Sequence, residues 1–141
     1  MTDALKAETR AMLRIAHLQM IQGVIARMSA ASLGLKGFCA SATAAILALK
    51  AEELGLKSLW LTSIVLIFAL CDANYLRLET EFRRLYKIVA SRDLSSADDM
   101  LIERPSPTFG TVVRSLTSWS VGLFYGAIMM VILAISLFSV R

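Results

Sequence analysis

Two side chains in this sequence stand where a charge is costly. Lys36 interrupts a stretch rich in alanine and serine, and Asp72 directly follows the apolar run that ends at Cys71. If the intervening chain turns about Leu54, each lies 18 residues from the turn. On two helices that places both about 27 Å from it, at one height. A lysine deep in hydrocarbon costs about 2.5–3.5 kcal/mol on insertion scales, and a carboxylate at the same depth on an adjacent helix offsets that cost. Such a pair would lock a hairpin, or leave Lys36 to snorkel toward the surface. Alternatively, it would form a charged ring at the mouth of an ion path. In the last case Ser41, Thr43, Thr62 and Ser63 are the candidate polar lining.

The residues needed for bond-making chemistry are sparse. The sequence contains no nucleophile elbow, P-loop, dinucleotide fingerprint or metalloprotease motif. Cys39 and Cys71 both sit in apolar runs without a CxxC partner, and His17 is the one histidine, so no metal or cofactor is expected. Arg10 and His17, six residues apart, match the loose R-x(4–6)-H spacing of the HEPN ribonucleases on nearly one helix face. A packed His17 is the simpler reading. Asp93, Asp98, Asp99 and Glu103 lack the glycine and spacing of an EF-hand and read as a solvated loop. No catalytic residue is assigned, and the chain is expected not to be an enzyme.

The elements that would position these residues follow from composition. The chain has 141 residues, of which 57% are hydrophobic and 18% charged. Its mean hydropathy is +0.64. Soluble domains sit near 45–50% apolar and about 25% charged, and a domain this small lacks the interior to hide the excess. The expected fold class is therefore all-α: an integral membrane protein with three transmembrane helices, an amino-terminal amphipathic helix and a cytosolic extension of the second span.

Residues 1–28 form the amphipathic helix, with Asp3 as candidate N-cap. Leu13, Met20, Ile21, Val24, Ile25 and Met28 lie on its apolar side, and Lys6, Arg10, Arg14, Gln22 and Arg27 on the other. It would lie on the membrane surface or pack on the cytosolic part of the chain. Residues 29–72 form a transmembrane hairpin whose first span is weak and whose second, from Leu59 to Cys71, is strong, with Gly55 in the link. Over 73–92 a helix continues with Tyr75, Leu78, Phe82, Leu85 and Val89 as an a/d seam, suited to assembly. A loop covers 93–112, where Pro105-Ser106-Pro107 breaks any helix. The third transmembrane helix occupies 113–141, free of charge from Ser115 to Val140. On it Ser118, Gly122 and Gly126 repeat at four-residue spacing, fit for close helix packing within the chain or between subunits.

Orientation follows from the basic residues. Eleven of them fall in the amino-terminal segment and the link after the second span, against Lys50, Lys57 and Arg141 on the other side. The amino terminus is expected in the cytoplasm and the carboxy terminus outside. The net charge of +4 then reflects sidedness, and no nucleic-acid partner is expected.

The stretches HLQMIQGVIARM (17–28), Lys36-Gly37 and DANYLRLETEFRRLY (72–86) resemble a set of short bacterial membrane proteins. These share an HLQMIQ-type helix, a two-span hairpin and a D-x-x-YLR-x-E continuation. In layout they are similar to membrane effectors of anti-phage defence, which depolarise the cell. The resemblance covers roughly residues 13–90 and implies a bacterial inner-membrane location. Together with the short polar first span, the small-residue faces and the cytosolic seam, it leads to the expectation of a homo-oligomeric pore or channel in the lipid bilayer, responding to a cytosolic trigger. The alternative is a scaffold or regulatory subunit that docks a partner through its cytosolic helices. A membrane-tethered ribonuclease using Arg10 and His17 is a third.

Overall fold

The computed structural model describes residues 2–50, 58–93 and 109–139. They form four helices: α1 (Thr2–Lys50), α2 (Ser58–Ser91), α3 (Phe109–Leu116) and α4 (Trp119–Ser139). The link at 51–57, with Gly55, lies outside the described residues, as do 94–108, with Asp98, Asp99, Glu103 and the Pro105-Ser106-Pro107 breaker, and Val140 and Arg141.

α1 is one unbroken helix of 49 residues, where the sequence expectation divides the chain at residue 28. The stretch across that boundary contains no proline, and no glycine in the described chain has a positive φ, so nothing ends the helix there. A single stripe runs along its length. Arg14, His17, Ile21, Ile25, Met28, Ser32, Cys39 and Thr43 follow one another at steps of three, four or seven residues, and all are buried or half-buried. This stripe carries α1 along α2, which is itself continuous over 34 residues. The amino-terminal half of α1 therefore packs on the continuation of α2. At 1.5 Å per residue, α1 is about 73 Å long and α2 about 51 Å, and each exceeds the roughly 30 Å of a bilayer core.

The third apolar element departs from its expected limits. A short helix, α3, precedes it, and the chain bends at Thr117–Ser118 before α4 begins at Trp119. Local hydroxyl groups explain the bend, because they compete for backbone partners. Thr117 Oγ1 donates to the carbonyls of Val113 and Arg114, at 3.2 Å each. Ser118 Oγ accepts the N–H of Val121 at 3.4 Å, as an N-cap does. Gly122 leaves room at the bend: a Cβ there would lie 3.3 Å from the Leu116 carbonyl oxygen, a tight contact.

α1, α2 and α4 are long and apolar enough to cross a membrane. They meet in a narrow core of Cys39, Leu61, Val65, Ala69, Ala73, Val121, Tyr125 and Ile132. The small Ala69, Ala73 and Cys39 let the helix backbones approach closely, the condition for packing where lipid removes the hydrophobic drive. α2 and α4 run antiparallel, with Ser136 Oγ 3.2 Å from Ser58 Oγ at one end. Trp60 and Trp119 stand exposed near opposite ends of this layer, 77% and 81% accessible.

Candidate functional site

The site is built where the α1 stripe crosses the strongest apolar run of α2. Lys36 and Asp72 meet there, with Lys36 Nζ 2.5 Å from Asp72 Oδ2; the Asp72 side chain is fully buried and that of Lys36 is 14% exposed. Ser32 stands one turn before Lys36 on the same face. Its hydroxyl oxygen accepts a hydrogen bond from Lys36 Nζ at 2.9 Å, and its proton goes to Asp72 Oδ1. Both carboxylate oxygens are thus engaged, one by the ammonium and one by the serine. Two desolvated charges of opposite sign hold together only with this kind of close geometry and supplementary hydrogen bonding.

α4 contributes a fourth group. Tyr125 is 2% exposed, packs in the same core as Cys39 and Ala73, and among the described residues its hydroxyl has no hydrogen-bond partner. One turn beyond Lys36, Cys39 and Thr43 are both buried. The Lys36–Ser32–Asp72 cluster therefore joins α1 and α2 through polar atoms inside an otherwise apolar layer, against which α4 packs. Its chemistry is electrostatic. The groups can hold a charge pair, reposition a proton donor beside a carboxylate, and separate the two charges if α1 and α2 slide.

The remaining residues singled out from the sequence are dispersed. Ser41 and Ser63 are exposed, and Thr62 is half-buried. Thr62 and Ser63 spend their hydroxyl protons on the carbonyls of Ser58 and Leu59, at 2.8 Å each. Only Thr43 points into the interior, so within one chain these four do not converge on a path. Ser118 is half-buried, Gly122 exposed and Gly126 half-buried, whereas the buried face of α4 carries Val121, Tyr125 and Ile132. Tyr75, Leu78, Phe82 and Leu85 are half-buried and Val89 is buried. His17 is 3% exposed, Arg10 is half-buried, and no group of three metal-ligating side chains occurs among the described residues.

Three important side chains are not evident from the sequence. Ser32 reads there as a dilution of the first span, although its i, i+4 relation to Lys36 places it beside the charge. Tyr125 is the one tyrosine of the third span, and a phenol in an apolar helix implies a polar neighbour. Arg14 reads as part of the polar face. It is buried instead, because its guanidinium donates to the Val89 carbonyl, which also accepts the Arg92 N–H at 3.4 Å, and, at 2.8 Å, to that of Asp93, at the carbonyl end of α2. Compared with family models, curated proteins and solved structures, the chain matches none.

Proposed function

We propose that the protein is a homo-oligomeric protein of the bacterial inner membrane that forms or gates a pore and acts without catalysis. Its amino terminus and the far end of α2 lie in the cytoplasm. The observation that carries this reading is the Lys36–Ser32–Asp72 cluster, a fully buried carboxylate and its ammonium held between helices whose outer faces are apolar. Three helices are too few to enclose water, so a conducting path requires several copies. Assembly also gives the exposed Ser41 and Ser63 a polar surface to line. By analogy with membrane effectors of anti-phage defence, depolarisation in response to a cytosolic trigger is the proposed role.

The test is reconstitution of the purified chain in nanodiscs for mass, and in liposomes for ion flux. Four or more copies together with flux that changes in Lys36→Met and Asp72→Asn support the pore. A monomer or dimer with no flux overturns it.

A second reading is favoured by one observation. Leu5, Met12 and Ile15 are each more than half exposed, on the face of α1 opposite the Arg14–His17–Ile21 stripe. That apolar strip suits a scaffold or regulatory subunit docking a cytosolic partner. It is distinguished by loss of partner binding, with unchanged flux, in Met12→Glu.

A further inference from the structure

We propose that the cavity between α2 and the α3–α4 bend binds the phosphoethanolamine headgroup of a phospholipid. The cavity encloses about 430 Å³, and Arg77, Thr80 and Glu81 from α2 face Arg114, Ser115 and Ser118 across it. Arg77 is only 7% exposed; Nη2 donates to Asn74 Oδ1 at 3.1 Å, and Nε is buried without a partner. Among the described residues, Arg77, Arg114 and Glu81 make no ion pair with one another or with any other side chain, whereas the neighbouring Glu79 is matched to Arg83 at 2.6 Å. Among the described residues, two cations and one anion thus line a single cavity without an ion-pair partner.

That charge pattern is the complement of a zwitterion. The two non-bridging oxygens of a tetrahedral phosphodiester match the paired N–H groups of a guanidinium, so Arg77 satisfies its buried Nε there while the exposed Arg114 adds a second cation. Ser118 Oγ accepts from the Val121 N–H, which leaves its proton free for the phosphate, beside the positive end of α4. Thr80 has given its proton to the Leu76 carbonyl, so its oxygen is an acceptor. Thr80 and Glu81 together therefore suit an ammonium. A purely acidic headgroup would satisfy the arginines but leave Glu81 facing a second negative charge.

The position fits a lipid. Arg77 lies five residues beyond Asp72, about 7.5 Å further along α2, and the exposed Trp119 directly follows Ser118. An exposed indole at a helix end marks the headgroup level, and basic pockets between helices at that level take lipid headgroups. The inference rests on the membrane part of the proposed function and not on the pore.

The test is native mass spectrometry of the full chain in mild detergent. It is titrated with phosphatidylethanolamine, phosphatidylglycerol and phosphatidylcholine of matched acyl chains, and with free phosphoethanolamine and inorganic phosphate. Phosphatidylethanolamine is expected to be retained about tenfold over the other two lipids, the worth of one charge-assisted hydrogen bond. Arg114→Gln removes that retention, Ser118→Ala weakens it, and Glu81→Gln equalises phosphatidylethanolamine and phosphatidylglycerol. Equal or better retention of phosphatidylglycerol by the unmodified chain overturns the proposal, as does indifference to both Arg114→Gln and Ser118→Ala. Displacement of lipid by millimolar free phosphoethanolamine or phosphate would point to a soluble ligand and also overturn it. Carbonate extraction of cell membranes separates the two levels: release of the chain defeats the membrane reading, whereas retention without lipid preference defeats only the site.

Discussion

At the scale of single residues the decisive fact is that Asp72 has no access to water. Lys36→Met leaves this carboxylate buried without its counter-ion, and removing one partner of a buried pair costs about 3–5 kcal/mol. Thermal unfolding in detergent, followed by loss of helical signal, should therefore fall steeply in Lys36→Met and recover largely in the double variant Lys36→Met/Asp72→Leu. A double variant as unstable as the single would mean that the pair contributes through shape and not charge. Ser32→Ala should cost about 1–3 kcal/mol in the same measurement, because both charges lose a hydrogen-bond partner at once. Lys36 and Asp72 were legible in the sequence because their spacing from Leu54 is symmetric and charges are rare in apolar runs. Ser32 was hidden by its ordinariness, since a serine in a helix bonds its own backbone as readily as a neighbour.

At the scale of elements, three long apolar helices could be read from the runs of side-chain type along the chain. Where helices end depends on backbone partners that such runs do not encode. The division expected at residue 28 is absent because no breaker stands there, and the bend at Thr117–Ser118 arises from two hydroxyl groups inside a charge-free run. The two glycines that follow should respond differently. In Gly122→Ala the added carbon presses on the Leu116 carbonyl and should lower stability by about 1 kcal/mol. Nothing lies within 4 Å of a Cβ at Gly126, so Gly126→Ala should leave chain stability unchanged or slightly raised. If Gly126→Leu nonetheless lowers the mass of the assembly in nanodiscs, the Ser118–Gly122–Gly126 face is a contact between copies. At the other end of α2, Arg14→Ala should release the last turn. Faster amide hydrogen exchange over 86–91, with protection near Asp72 unchanged, is the expected signature.

At the scale of the whole molecule the three long helices bury a thin seam and expose most of their apolar surface. Cys39 is buried and Cys71 exposed, so the two thiols report different surroundings. In membranes, Cys71 should react with a lipid-soluble maleimide while Cys39 stays protected. Oxidation should link Cys71 between copies only if that face of α2 meets its counterpart in an assembly. Dimers on a non-reducing gel that persist in Cys39→Ala and vanish in Cys71→Ala would locate the contact.

The unbroken course of α1 also has a mechanical meaning. From Arg14 to Lys36 there are 22 residues of continuous helix, about 33 Å, braced along that length by α2. A stiff beam of that kind does not absorb motion at a joint. A tilt of about 5° would carry its two ends past each other by about 3 Å, on the order of the contact distance between Lys36 and Asp72. A load applied near Arg14 would thus arrive at the buried charges as leverage, with the helix itself as the arm and the close-packed alanines of α2 as the fulcrum.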